Sequence, residues 1–192
     1  MEACMDGMQR TNKLILIAAM AASVAILVAI DQWTKAIAAS LLAEKGPVNL
    51  IDDFVVLIFV RNRGAFLSLG SGLPPVLRTI LLIVFPIAAL AFLGWAFLSR
   101  SLAAKKGKPV KTFGSSMAEF AVVVLVAAGG AGNLVDRLRY GEVRDFLNFG
   151  IGRLRTGIMN MADLYILAAL IVMAGAVVGS RKPWGSKGSD AS

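Results

Sequence analysis

Histidine is absent from this chain, and cysteine occurs once, as Cys4. Without histidine there is no Ser-His or Cys-His nucleophile pair and no histidine-rich zinc site. A lone cysteine ahead of every apolar run forms no intramolecular disulfide and reads as an incidental thiol. Acids are scarce: 12 Asp and Glu stand against 20 Lys and Arg, a net charge of +8. Basic and aromatic residues are not interleaved as on a base-stacking surface, so this charge does not indicate nucleic acid. In an apolar chain it sets topology and meets anionic lipid headgroups. For hydrolysis such a chain is left chiefly with carboxylates, and with a Ser-Lys pair as a distant second.

What is abundant is apolar residues, 57% of the 192. They fall in four blocks, which predicts an integral membrane protein of four spans in one domain, at about 14–30, 79–98, 117–135 and 159–179. The first block runs straight into Asp31-Gln32-Trp33-Thr34-Lys35 with no small-residue cleavage site, so it reads as a retained helix rather than a removable signal. Asp31 and Lys35, four apart, share a helix face, either as an interfacial ion pair or in a functional role. Pro86 predicts a kink in the second span. Small residues at Gly129, Gly130 and Gly132 suit close helix packing.

Three loops separate the blocks. The outer loop at about 36–78 contains Phe54–Val60, too short to span and β-rich, which predicts a strand on the membrane surface. Its later part, Arg61-Asn62-Arg63-Gly64-Ala65-Phe66 with Gly70, Gly72, Pro74 and Pro75, suits a mobile, substrate-facing element. The loop at about 99–116 is basic and holds no acid. The outer loop at about 136–157 carries five arginines and three acids, and Gly150-Ile151-Gly152 suits a hairpin. Basic residues tie at ten on each side, but the dense, unmixed 99–116 run and the matching termini favour termini inside.

Whichever way the chain points, four spans bring Asp31, Asn133, Asp136, Asp145, Asn160 and Asp163 to one membrane face. Asn133, Asp136 and Arg137 share one helix face, and Asn160 and Asp163 another. Asp136 has a structural account: pairing with Arg137 or with a loop arginine. Asp163 is expected about one turn inside an apolar helix, with no base at three or four residues. A desolvated carboxylate binds its proton more tightly, and a second carboxylate such as Asp145 would let the two share one. Spacing alone leaves open whether these two meet.

In five blocks the chain resembles the lipoprotein signal peptidases, also called signal peptidase II, over about residues 13–180. The blocks are Asp31-Gln32-x-Thr34-Lys35; Asn62-x-Gly64-Ala65; Gly129-Gly130-x-Gly132-Asn133-x-x-Asp136-Arg137; Gly141-x-Val143-x-Asp145-Phe146; and Asn160-x-Ala162-Asp163. Phe66, Leu67 and Met159 depart from the family pattern, at positions that bear on the substrate pocket.

The resemblance implies an all-α integral membrane fold of four transmembrane helices, with a small periplasmic β-cradle and a short outer-face helix. It implies an aspartic endopeptidase of the bacterial inner membrane, termini cytoplasmic and active site periplasmic. Its substrates would be diacylglyceryl-modified prolipoproteins, cut just before the lipidated cysteine. Asp145 and Asp163 would be catalytic. Asn62, Asn133, Arg137 and Asn160 would hold the substrate backbone or the inhibitor globomycin, and Asp31, Lys35, Asp136 and Gly64 would support the site. No metal or other cofactor is implied, membrane lipids are the surroundings, and a monomer is expected. The alternative is a non-catalytic lipid- or lipoprotein-binding protein of the same architecture, which could lose either catalytic aspartate; this chain has both. A transporter or channel would line a path through the bilayer midplane, whereas these polar groups gather at one face.

Overall fold

In a computed structural model, residues 2–64, 72–103 and 117–179 of the chain are described. The order is α1 (Glu2–Leu42), β1 (Val48–Ile51), β2 (Val55–Asn62), α2 (Pro75–Thr79), a π-helical turn (Ile80–Val84), α3 (Phe85–Ala103), α4 (Met117–Tyr140), β3 (Val143–Ile151), β4 (Leu154–Arg155) and α5 (Met161–Gly179). Three stretches are long and apolar enough to cross a membrane: Leu14–Leu42, Pro75–Ala96 and Met117–Tyr140; Met161–Ala176 is a shorter apolar helix.

The helices outrun the apolar blocks. α1 takes in residues 2–13, read from sequence as a polar tail, and continues to Leu42, absorbing the start of the expected first outer loop. The reason is local: residues 31–42 (DQWTKAIAASLL) contain neither Gly nor Pro, and Lys35 lies one turn after Asp31, so nothing stops the helix at the polar boundary. α4 likewise passes Val135 and ends at Tyr140, where Gly141 at φ +73 donates its N–H to the Arg137 carbonyl and closes the last turn. Ahead of Pro86, which has no N–H to give, the Phe85 N–H reaches back five residues to the Ile80 carbonyl, and the expected kink takes the form of a π-helical turn.

The segments between the helices form one antiparallel sheet, ordered β1-β2-β3-β4. β2 matches the strand expected at 54–60; β1 was not expected, and the 136–157 segment is largely β3 and β4 rather than a polar loop. The hairpin turns at Gly152, φ +57, with Ile151 opposite Leu154. It brings Met159 back against the middle of β3, where Met159 exchanges backbone hydrogen bonds with Leu147. Met159 therefore belongs to the sheet, and the fourth apolar helix begins at Met161. Phe66, Leu67 and the expected short outer-face helix after Asn62 lie outside the described residues, as do residues 104–116 of the basic loop.

Two kinds of packing hold sheet and helices together. Ala38 and Leu42, on the extension of α1, bury against Phe146, flanked by Leu57, Phe59, Leu147 and Met161. This seats the sheet on the end of α1. α4 approaches both α5 and α1 closely because it has glycine where a Cβ would collide. At Gly129 it would stand 2.5 Å from the Ala162 carbonyl oxygen, and at Gly132 2.6 Å from Asp31 Oδ2.

Candidate active site

The site lies where the C-terminal halves of α1 and α4, the first turn of α5 and one end of the β2–β3 pair converge. Each contributes residues that its local geometry aims inward. Asn160 caps α5: its Oδ1 accepts the Asp163 N–H at 3.1 Å, and Asp163 Oδ2 accepts the Asn160 N–H at 3.2 Å. This is a reciprocal capping box. Asp163 therefore sits in the first turn, at the positive end of the helix dipole, rather than a full turn inside as the apolar pattern suggested.

Two carboxylates face three asparagines. Asp145 Oδ1 accepts from Asn160 Nδ2 at 2.6 Å and its Oδ2 from Asn62 Nδ2 at 3.0 Å. Asp163 Oδ1 accepts from Asn133 Nδ2 at 2.8 Å. Each amide is pinned through its oxygen, which leaves the nitrogen pointing at a carboxylate. Asn62 Oδ1 accepts the Gly64 N–H at 2.9 Å. Asn133 Oδ1 accepts from Lys35 Nζ at 3.0 Å and from Asn160 Nδ2 at 3.1 Å. Asn160 thus touches both aspartates. Asp145 is 2% exposed and Asn160 fully buried, while Asp163 is half-buried. Burial pushes the Asp145 carboxyl up to about 6, against the pull of the Asn62 and Asn160 hydrogen bonds and with the Asp163 charge adding to the rise.

Behind the asparagines lies a buried ionic cluster. Lys35 Nζ is 2.8 Å from Asp31 Oδ2 and 3.5 Å from Asp136 Oδ2, and all three side chains are fully buried. Asp31 also accepts the Ala162 N–H at 2.9 Å, tying α1 to the start of α5. Arg137 donates to the Gly64 carbonyl at 3.3 Å, so Gly64 joins Asn62 to α4. Each catalytic, substrate-holding and supporting residue expected from the sequence is thereby connected. Two participants were not singled out. Gln32 donates to the Gly132 carbonyl at 3.1 Å, and Arg144 binds Asp136 at 2.7 Å. The expectation of a loop arginine on Asp136 named the type; nothing in the spacing distinguishes Arg144 from the other loop arginines.

The chemical capacity follows from the geometry. Two carboxylates are held by neutral donors and joined through Asn160, and one of them, Asp145, lines a groove of about 660 Å³ that runs along the sheet past Asn62, Val56, Ile58 and Asn148. Among the described residues no group of three His, Cys, Asp or Glu side chains is placed to hold a metal ion. The arrangement suits proton transfer to and from a water molecule beside an extended chain.

Comparison with known proteins gives one consistent answer. A family model described as signal peptidase (SPase) II matches residues 23–178. The lipoprotein signal peptidase of Borrelia duttonii is 32% identical over 155 residues, 78% of this chain and 83% of that protein. The lipoprotein signal peptidase of Oleidesulfovibrio alaskensis is 34% identical over 145 residues, 74% of this chain and 83% of its own length. A solved structure described as a bacterial membrane enzyme superposes with a TM-score of 0.68 at 24% identity, over 91% of this chain and 96% of that one, which is a likeness of fold.

Proposed function

The chain belongs to the signal peptidase II family, a family of proteases that remove signal peptides from prolipoproteins, and from that premise we propose that Asp145 and Asp163 are its catalytic pair. The observation that carries the reading is Asn160, hydrogen-bonded to both carboxylates at once. It makes two groups 18 positions apart in the chain parts of one unit.

The two environments divide the roles. Asp163 lies in the first turn of α5, less enclosed than Asp145, and accepts the Asn160 backbone N–H. Asp145 is enclosed, met only by amides, and holds its proton up to about 6. Asp163 takes a proton from water as that water attacks the scissile carbonyl, while Asp145 gives its proton to the carbonyl oxygen. The resulting gem-diol collapses as Asp145 recovers that proton and Asp163 passes its own to the leaving amine. The C–N bond breaks, and the pair returns to one proton. Asn62, Asn133, Arg137 and Asn160 hold the substrate backbone, while Asp31, Lys35, Asp136 and Gly64 keep the site in place.

The substrate is a prolipoprotein carrying diacylglycerol on its cysteine, and the cut falls just before that cysteine. Such a substrate stays in the bilayer and presents its bond at the interface. We place the protein in the bacterial inner membrane as a monomeric single domain of four spans, with α5 as the fourth, surrounded by lipid. Its termini face the cytoplasm, and the sheet and site the periplasm. The test is incubation of purified protein with lipidated and unlipidated precursor, with and without globomycin. Only the lipidated precursor should be cut, globomycin should block the cut, and chelators should leave it intact. Cleavage of the unlipidated precursor alone, or loss of activity restored by zinc, would end this reading.

A further inference from the structure

Arg144 precedes Asp145 and occupies an unspecified place in the motif Gly141-x-Val143-x-Asp145, yet its side chain is only 11% exposed. Its guanidinium forks onto Asp136, Nη2 to Oδ1 at 2.7 Å and Nε to Oδ2 at 3.2 Å, and its backbone N–H reaches Oδ2 at 3.0 Å. Nη2 also donates to Gln32 Oε1 at 3.0 Å. The guanidinium carbon stands 4.6 Å from the centroid of the Tyr140 ring. One side chain therefore joins α1, α4 and the start of β3, the strand that presents Asp145.

Its charge matters as much as its fork. Asp31 and Asp136 are balanced by Lys35 and Arg144, so the cluster is neutral. Because Arg144 saturates Asp136, Lys35 stays 3.5 Å from that carboxylate and closer to Asp31 and to Asn133 Oδ1, at 2.8 and 3.0 Å. We propose that Arg144 is a positioning residue for cleavage: by occupying Asp136 it leaves Lys35 to hold Asn133 with its amide nitrogen toward Asp163. This rests on the reading of Asp145 and Asp163 as the reacting pair. Without Arg144, the cluster carries one uncompensated negative charge and Lys35 is drawn to Asp136. Asn133 Oδ1 then loses its charged donor and keeps only Asn160 Nδ2, at 3.1 Å.

The other groups around this cluster are accounted for. Asp31 and Lys35 face it from α1, Asp136 and Tyr140 from α4, and Asp163 from α5 across Asn133. Asp145 follows Arg144 on β3. Glu142 is engaged by Arg61 at 3.0 Å and Arg63 at 3.4 Å, and Arg137 by Gly64.

The experiment measures kcat, KM and their pH dependence on the lipidated precursor for wild type, Arg144→Ala, Arg144→Lys and the double variant Arg144→Ala/Asp136→Asn. Arg144→Ala should lower kcat on the order of a hundredfold, the cost of a small misplacement of reacting groups. KM should stay within about twofold, since substrate contacts remain. Its alkaline limb should move to higher pH, because the unpaired Asp136 charge disfavours a second ionisation nearby. Arg144→Lys restores charge without the fork, so its limb should return to the wild-type position while part of the kcat loss remains. The double variant should recover the wild-type limb. A kcat loss with the limb unmoved in Arg144→Ala assigns Arg144 a structural role only and overturns the proposal, as does unchanged kcat. Absence of cleavage by wild type itself overturns the aspartic-pair reading and this proposal with it.

Discussion

Two neighbouring pairs of acids, all buried but for the half-buried Asp163, are treated in opposite ways. Asp31 and Asp136 are met by cations, Lys35 and Arg144, at 2.7 to 3.5 Å. Asp145 and Asp163 are met by asparagine amides and backbone N–H groups, with no salt bridge to either among the described residues. A carboxylate bridged to cations fixes the structure around it. One balanced by neutral donors in a desolvated place remains able to take up and release a proton. The first pair builds the site; the second is free to do chemistry in it.

Removing a cation from the balanced pair should have the largest effect on stability. Lys35→Met leaves two acids with one base, and a broken buried ion pair costs roughly 3–5 kcal/mol. Thermal unfolding in detergent should report a loss of that size, and an unchanged midpoint would erase the distinction between the two pairs. Next comes the residue that bridges the two carboxylates. Asn160→Ala takes the Nδ2 donor from Asp145 and the Oδ1 cap from the Asp163 N–H, and should lower kcat/KM by roughly 10²–10³, the usual cost of one such preorganised donor. Turnover within a few-fold of wild type would mean that the asparagines are scaffolding.

Gly132→Ala tests the approach that holds the clusters together. Its new Cβ would stand 2.6 Å from Asp31 Oδ2, and such overpacking costs about 1–3 kcal/mol. Smallest is Arg61→Ala: its side chain is 67% exposed, and exposed ion pairs contribute about 0–1 kcal/mol. A large loss there would show that the outer face of the sheet matters more than this account allows.

The same contrast has a pH signature. Asp145 holds its proton in the fold more tightly than in the unfolded chain, so its ionised form costs the fold stability above about pH 6. That cost should fade as pH drops from about 6 towards the ordinary carboxylate value of 3.8. For catalysis the sign is the same: kcat/KM should fall along an alkaline limb starting near pH 6, as Asp145 loses the proton it must donate. Asn substitution of Asp145 should remove that limb from whatever activity remains.

Much of the site was legible beforehand because its parts are local. Asp31 with Lys35, Asn133 with Asp136 and Arg137, and Asn160 with Asp163 are each one helical turn apart, and turn spacing is readable. The sheet was half legible. β2 is rich in β-branched residues and stood out, while β1, four residues long and exposed throughout, carries no pattern of its own and exists because it pairs with β2. The helices end at Leu42 and Tyr140, past the expected span limits, because hydropathy marks where a helix leaves an apolar setting rather than where it stops. The choice of Arg144 among the five loop arginines depends on the turn at Gly141 that folds β3 back along α4, a tertiary fact with no local signal.

The claim that Asp145 and Asp163 act as one unit is tested most directly by single-turnover cleavage of a lipidated precursor by Asp145→Asn, Asp163→Asn and the double variant, each checked for folding. Residues acting as one unit are not additive, so each single variant should lose more than about 10³-fold and the double should be no slower than the slower single. Near-full turnover in either single variant, or losses that multiply in the double, would contradict it.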